Sequence, residues 1–229
     1  MAAFSYAGTT VAVSDDIIDS HRSAWDQLGQ VGTWWTAAER LGIAARARHR
    51  FADRATPPWL RSDPPGDDRL APEVGVVVDL VTLDAARIDR AAADEAVASL
   101  GAGDERRGQG RYVELIGIVA VVAMIDVFAE AVGVDPEPLP EPLPGDPSEV
   151  RPDGLGDIGA HVPAIDPFPA ANVARALSLV PATNTLFRTV SVPAYSAPGF
   201  DRLTWDTPLS RPQVELVASR VAAMNECFY

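Results

Sequence analysis

Apolar residues recur at three- and four-residue intervals along most of this chain, which is a helical rhythm. Ile17, Ile18, His21, Trp25 and Leu28 fall at roughly that spacing behind Asp15 and Asp16, two carboxylates that suit a helix N-terminus. This predicts a first helix over 15–28, preceded by a loose arm at 1–14. A second helix is predicted within 34–51, where Thr36 and Glu39 have the spacing of a capping box. Residues 55–72 carry a cluster of prolines and predict a loop. Two helices follow, over 73–83 and 84–100. The run V-G-V-V-V-D-L-V also fits a strand, but no partner strand is evident elsewhere, so helix is preferred. A glycine-containing, charged break is expected at 101–110. The most apolar helix then runs from Arg111 to Gly133, with glycine in place as its stop.

Val134 to Ala170 holds ten of the twenty prolines and cannot be helix or central strand. It predicts an extended linker. Beyond it come a short helix at 171–179, another beginning at 181–188, and a loop over 190–206. The last helix starts at Ser210, with Gln213 placed for a capping box and Pro212 in the first turn. Val214, Val217, Val221 and Met224 form its apolar stripe.

This last helix repeats the second one under a shift of 174 positions. Thr36 matches Ser210, Glu39 matches Gln213, Ile43 matches Val217, Ala44 matches Ala218 and Arg46 matches Arg220. The match predicts a weak internal duplication. Its units are 1–133 and 171–229, joined by the linker at 134–170. In the first unit Leu41 and Asp53 stand where the second has Glu215 and Cys227.

The composition narrows the function classes. At 229 residues, 47% of them apolar, the chain can build a substantial core. A net charge of −13 argues against a nucleic-acid binder and against anionic membrane surfaces. The long apolar helix approaches the length of a membrane span, but Glu114, Asp126 and Glu130 lie in it, so a buried bundle helix is expected. One cysteine excludes an internal disulfide framework and a Cys-rich zinc site, and fits a reducing cytosol. The N-terminus lacks the basic start and apolar core of a signal peptide, so a cytoplasmic location is expected. His21, His49 and His161 have no metal-ligand spacing, and His49, in R-A-R-H-R, reads as solvated surface. The G-L-G-D-I-G stretch at 154–159 follows a proline-rich segment rather than a strand, which discounts it as a nucleotide loop. No cofactor is expected.

Two residues carry the sharpest candidate chemistry. Glu215 lies off the apolar stripe of the last helix, and Cys227, the single cysteine, follows twelve residues later. At 3.6 residues per turn they differ by about a third of a turn, so the chain must bend near Asn225 to bring them together. Each has a plainer use. A carboxylate near a helix N-terminus is favourable by the helix dipole alone, and a lone cysteine is commonly inert packing.

Glu215, the eleven residues after it and Cys227 resemble the opening of E-x11-C-x-x-C-x3-H, the pattern of the AhpD-like alkylhydroperoxidase and carboxymuconolactone decarboxylase superfamily. The ending N-E-C-F-Y is similar to a branch of alkylhydroperoxidase-related proteins in which selenocysteine follows. The V-E-L-I-G run at 113–117 resembles the long helix of that fold. The resemblance implies an all-α, AhpD-like helical bundle in two degenerate copies, the second incomplete. It implies a thiol- or selenol-dependent peroxidase, acting on a small peroxide with a thiol electron donor, commonly as a homo-oligomer. Cys227 would be the resolving thiol and Glu215 a relay carboxylate. The second chalcogen and the histidine of the motif are not among residues 1–229. A reading frame cut at a selenocysteine codon is therefore expected, and the 229-residue chain is expected to be inactive. The alternatives are a non-catalytic helical scaffold that has lost the redox motif, and a decarboxylase-like member, against which Cys227 argues.

Overall fold

A computed structural model describes residues 4–9, 11–62, 64, 68–169, 172–195 and 209–224. Among them it is mostly helical, with one two-stranded hairpin. The helices are α1 (Asp15–Leu28), α2 (Ala37–Ala52), α3 (Pro72–Leu83), α4 (Arg90–Gly101), α5 (Glu105–Val132), α6 (Asn172–Arg175), α7 (Pro181–Ala194) and α8 (Arg211–Met224). The expected all-α class holds.

The apolar rhythm becomes a core built around α5, against which α2, α4 and α7 pack most extensively. Leu115, Ile118, Val121, Val122 and Ile125 of α5 are fully buried. By length and composition α5 could cross a membrane; here its apolar faces meet other helices. The α3 segment is helical, with Val74, Val77 and Val78 turned inward. The start of α2 is fixed by a reciprocal cap. Glu39 N–H donates to Thr36 Oγ1 at 3.3 Å, and Thr36 N–H donates to Glu39 Oε2 at 2.9 Å.

Several expectations need correction. The break at 101–110 is shorter than the sequence suggests, because α5 begins at Glu105. Asp104 caps it, its carboxylate accepting from the N–H groups of Arg106 and Arg107. The glycines that suggested a break serve close approach instead. A Cβ on Gly108 would meet Val97 O at 2.1 Å, and one on Gly110 would meet the Trp34 ring at 2.1 Å. The loop expected from Val190 also begins later, since α7 continues to Ala194 with Pro193 inside its last turn. Conversely, the described helix near 171–179 is only the four residues of α6.

The N-terminal arm is anchored rather than loose. Phe4 and Tyr6 are buried. Phe4 meets Trp25 edge-on at 5.5 Å, and Tyr6 meets Phe128 edge-on at 5.3 Å.

Residues 134–154 run without helix along the bundle as a docked strap. Trp25 Nε1 donates to Pro138 O at 2.8 Å, and Arg48 Nη2 donates to Glu137 O at 2.9 Å. The backbone N–H of Leu143 and of Glu149 donate to Gly29 O and Thr33 O, both at 2.8 Å. Prolines cannot donate to a ladder, so the strap offers carbonyls to side chains and uses its few free N–H groups on the α1–α2 loop. The hairpin that follows pairs Leu155 with Ile165 and Gly156 with Ala164. It takes in the start of the discounted G-L-G-D-I-G stretch.

Candidate functional site

The Glu215 carboxylate is carried by α8 and capped from the same end. Ser210 N–H donates to Gln213 Oε1 at 2.8 Å, and Ser210 Oγ donates to the same atom at 2.9 Å. This half of the capping box has the geometry found at Thr36 and Glu39 in α2. Glu215 Oε2 accepts from the Tyr195 hydroxyl at 3.4 Å, and Glu215 Oε1 lies 3.7 Å from Arg211 Nε. Burial raises the pKa of Tyr195, and the charge and hydrogen bond of Glu215 raise it further. Thus a phenol at the end of α7 and a guanidinium one turn earlier hold the carboxylate on a partly exposed surface. Cys227 and Asn225 lie outside the described residues, so the bend expected near Asn225 does too. No residue of α8 is buried, and Leu216, Val217, Val221 and Met224 are well exposed.

A second polar constellation was not singled out from the sequence. Glu114 of α5 and Arg40 of α2 are both buried, with side chains 2% and 8% exposed. Glu114 Oε2 accepts from Trp34 N–H at 2.7 Å, and the Thr33 N–H also serves this carboxylate. Arg40 Nη1 donates to Gln30 O at 2.9 Å, and its Nε lies 3.6 Å from Glu114 Oε1. Burial pushes the Glu114 pKa up, against the pull of Arg40 and the two N–H groups. Burial likewise lowers that of Arg40, against the opposing charge of Glu114. Gly32 makes the arrangement possible, since a Cβ there would lie 1.7 Å from Glu114 Oε1. A carboxylate in the middle of V-E-L-I-G was the available sequence signal. That signal alone argues only against a membrane span and does not name a partner, because Arg40 lies 74 positions away.

Other charges are paired structurally. Asp79 accepts from Arg46 and Arg50. Burial alone would raise its pKa, but the hydrogen bonds and charges of both arginines hold it below the usual carboxylate range. Arg48 grips Asp126 through two hydrogen bonds at 2.7 and 2.8 Å. His49 is half-buried rather than solvated, and its Nε2 has no hydrogen-bond partner. Among the described residues, no group of three or more His, Cys, Asp or Glu is placed to hold a metal ion.

His21 is buried, and its Nδ1 lies 2.5 Å from the Tyr6 hydroxyl. Burial lowers its pKa from 6.5 to about 4. The folded state therefore binds fewer protons than the unfolded state between those values, so stability is lost as pH falls through that window. The loss is expected to reach at most about 3 kcal/mol. Denaturant unfolding at pH 7 and pH 4.5 checks this, with His21→Gln, which can still accept from Tyr6, losing less over the same interval.

Compared with protein-family models, with curated proteins and with solved structures, the chain matches none, so its function has to be read from its own residues.

Proposed function

We propose that this is an AhpD-like redox protein whose function is thiol- or selenol-dependent peroxide reduction. The observation that carries the reading is the spacing of Glu215 and Cys227 across the last helix, in the E-x11-C pattern. Three features support it. The chain is mostly helical. The α2 and α8 helices start at matching positions of the internal repeat, with matching cap hydrogen bonds. The Glu215 carboxylate has a phenol hydroxyl beside it, as a proton relay requires.

In this reaction a second chalcogenolate, outside residues 1–229, attacks the peroxide oxygen. The O–O bond breaks, an alcohol leaves, and the chalcogen becomes a sulfenic or selenenic acid. The Cys227 thiol then displaces water from that acid and forms the bridge. A donor dithiol reduces the bridge and is itself oxidised to a disulfide. Glu215 and Tyr195 would accept and return the proton that makes the attacking anion. A cytoplasmic location and a homo-oligomer belong to the same proposal.

The transcript beyond codon 229 tests it. An in-frame UGA followed, four codons on, by histidine is expected. The protein extended through that histidine should consume an alkyl hydroperoxide with a dithiol donor, while Cys227→Ser should end turnover. An ordinary stop codon in that position would sink the reading.

The exposed apolar face of α8 favours a second reading, a non-catalytic helical scaffold. A stable, redox-silent product ending at Tyr229 is what that reading requires.

A further inference from the structure

The strap at 134–154 contributes no buried residue to the molecule. The fully buried apolar residues all come from elsewhere in the chain, and Val134 and Leu139 only pack against them from outside. The strap therefore stands to the bundle as a peptide stands to a groove: it is added to a core that is assembled without it.

The groove reads this peptide mainly through its backbone. Trp25 Nε1 of α1 donates to Pro138 O at 2.8 Å, and Arg48 Nη2 of α2 donates to Glu137 O at 2.9 Å. In return Gly29 O and Thr33 O of the α1–α2 loop accept from the N–H groups of Leu143 and Glu149, both at 2.8 Å. An indole N–H on a proline carbonyl, in an aromatic-walled groove, is the chemistry by which proline-rich segments are recognised. Shape adds selectivity. A Cβ on Gly29 would come within 3.3 Å of the Pro140 ring and 3.0 Å of Glu141 O, and a Cβ on Gly145 would come within 2.8 Å of Val31 Cγ2. Position 143 must keep its N–H, and position 145 must be glycine.

The sequence of the strap suits such an occupant. Proline stands at every second position from Pro136 to Pro144. Each ring fixes φ near about −65°, so the segment is extended before it docks and loses little conformational entropy on docking. Residues 134–150 also carry five carboxylates and no arginine or lysine. Arg107 of α5 meets the last of these, its Nε donating to Glu149 Oε1 at 2.9 Å.

We propose that this face of the bundle is a recognition groove for an extended, acidic, proline-alternating segment of another polypeptide, and that the strap is its built-in competitor. The groove opens to the partner when the strap lifts, and the partner's carbonyls take the Trp25 and Arg48 donors in its place. The redox reading of Glu215 and Cys227 plays no part in this.

The test uses the full chain, with a fluorescent synthetic peptide of residues 134–150 as the probe. Gly145→Val in the chain loosens the strap through the contact with Val31. Leu139→Asp, at a half-buried strap position packed on the core, loosens it by a second route. Protease cleavage within 134–154 reports the loosening. Saturable binding of the probe to a loosened chain is expected, at least about tenfold tighter than to the wild type, whose tethered strap competes at high effective concentration. A probe carrying Gly145→Val, or one carrying Leu143→Pro, which removes the N–H that Gly29 O accepts, should bind about tenfold more weakly. Loosened chains that do not bind the probe, native and altered probes that bind alike, or a wild type that binds as tightly as the variants would each overturn the proposal. So would a strap that stays protease-resistant in both variants, since it would then be a fixed part of the fold.

Discussion

Arg40→Met is expected to destabilise the protein by about 3–5 kcal/mol, because it leaves the buried Glu114 carboxylate without its counter-charge. The same change removes the Arg40 hydrogen bond to Gln30 O, which helps to fix the α1–α2 loop. Domains of ordinary size are stable by only about 5–15 kcal/mol, so this is a large fraction of the whole. A change at a surface pair such as Arg22 and Asp19 would cost about 0–1 kcal/mol, since water already solvates both groups. The double variant Arg40→Met with Glu114→Leu should recover most of the loss, because the cost lies in the unpaired charge and not in the absence of a pair. Chemical denaturation of the two single variants and the double variant measures this. Additive losses would show that Arg40 and Glu114 act independently, against the 3.6 Å separation found here.

Trp25→Ala should cost a similar amount, about 3–5 kcal/mol, for a different reason. Trp25 is fully buried, and no neighbour can collapse into the space of an indole. It also holds the strap, through its Nε1 hydrogen bond to Pro138 O, and supports Arg48, whose guanidinium lies 5.4 Å from the ring centroid. Limited proteolysis should therefore show cleavage within 134–154 in the variant before the helices unfold. Trp25→Phe keeps most of the packing and loses the hydrogen bond. It should cost clearly less, yet still free the strap. If both variants left that segment as resistant as the wild type, its other anchors, among them Arg48 on Glu137 O and Arg107 on Glu149, would be sufficient alone.

The last helix illustrates how far a local pattern reaches. Ser210, Gln213 and the apolar stripe specify its start and its face, because caps and periodicity act over a few residues. They do not specify a partner, and α8 exposes the stripe they define. The internal match to α2 points the same way. The positions of α2 equivalent to that stripe, Arg40, Ile43, Ala47 and Arg50, are all buried, in the core that α2 shares with α3 and α5. Like sequences make like helices, and their surroundings differ.

By itself, the sequence determined the helical class, the ends of α1, the cap of α2 and the proline-rich interruption, and it nominates Glu215 and Cys227 as a candidate pair. All of these follow from side-chain chemistry within a turn or two, or from a spacing that can be counted along the chain. Only the tertiary structure decided that Gly108 and Gly110 allow close packing instead of breaking α5, since that depends on Val97 and Trp34 arriving from elsewhere. It also decided that the strap is docked, that Phe4 and Tyr6 are core residues, and that Glu114 meets Arg40. Each of these rests on contacts between distant positions, where burial and shape complementarity outweigh local preference, and no local pattern records which distant residue will arrive.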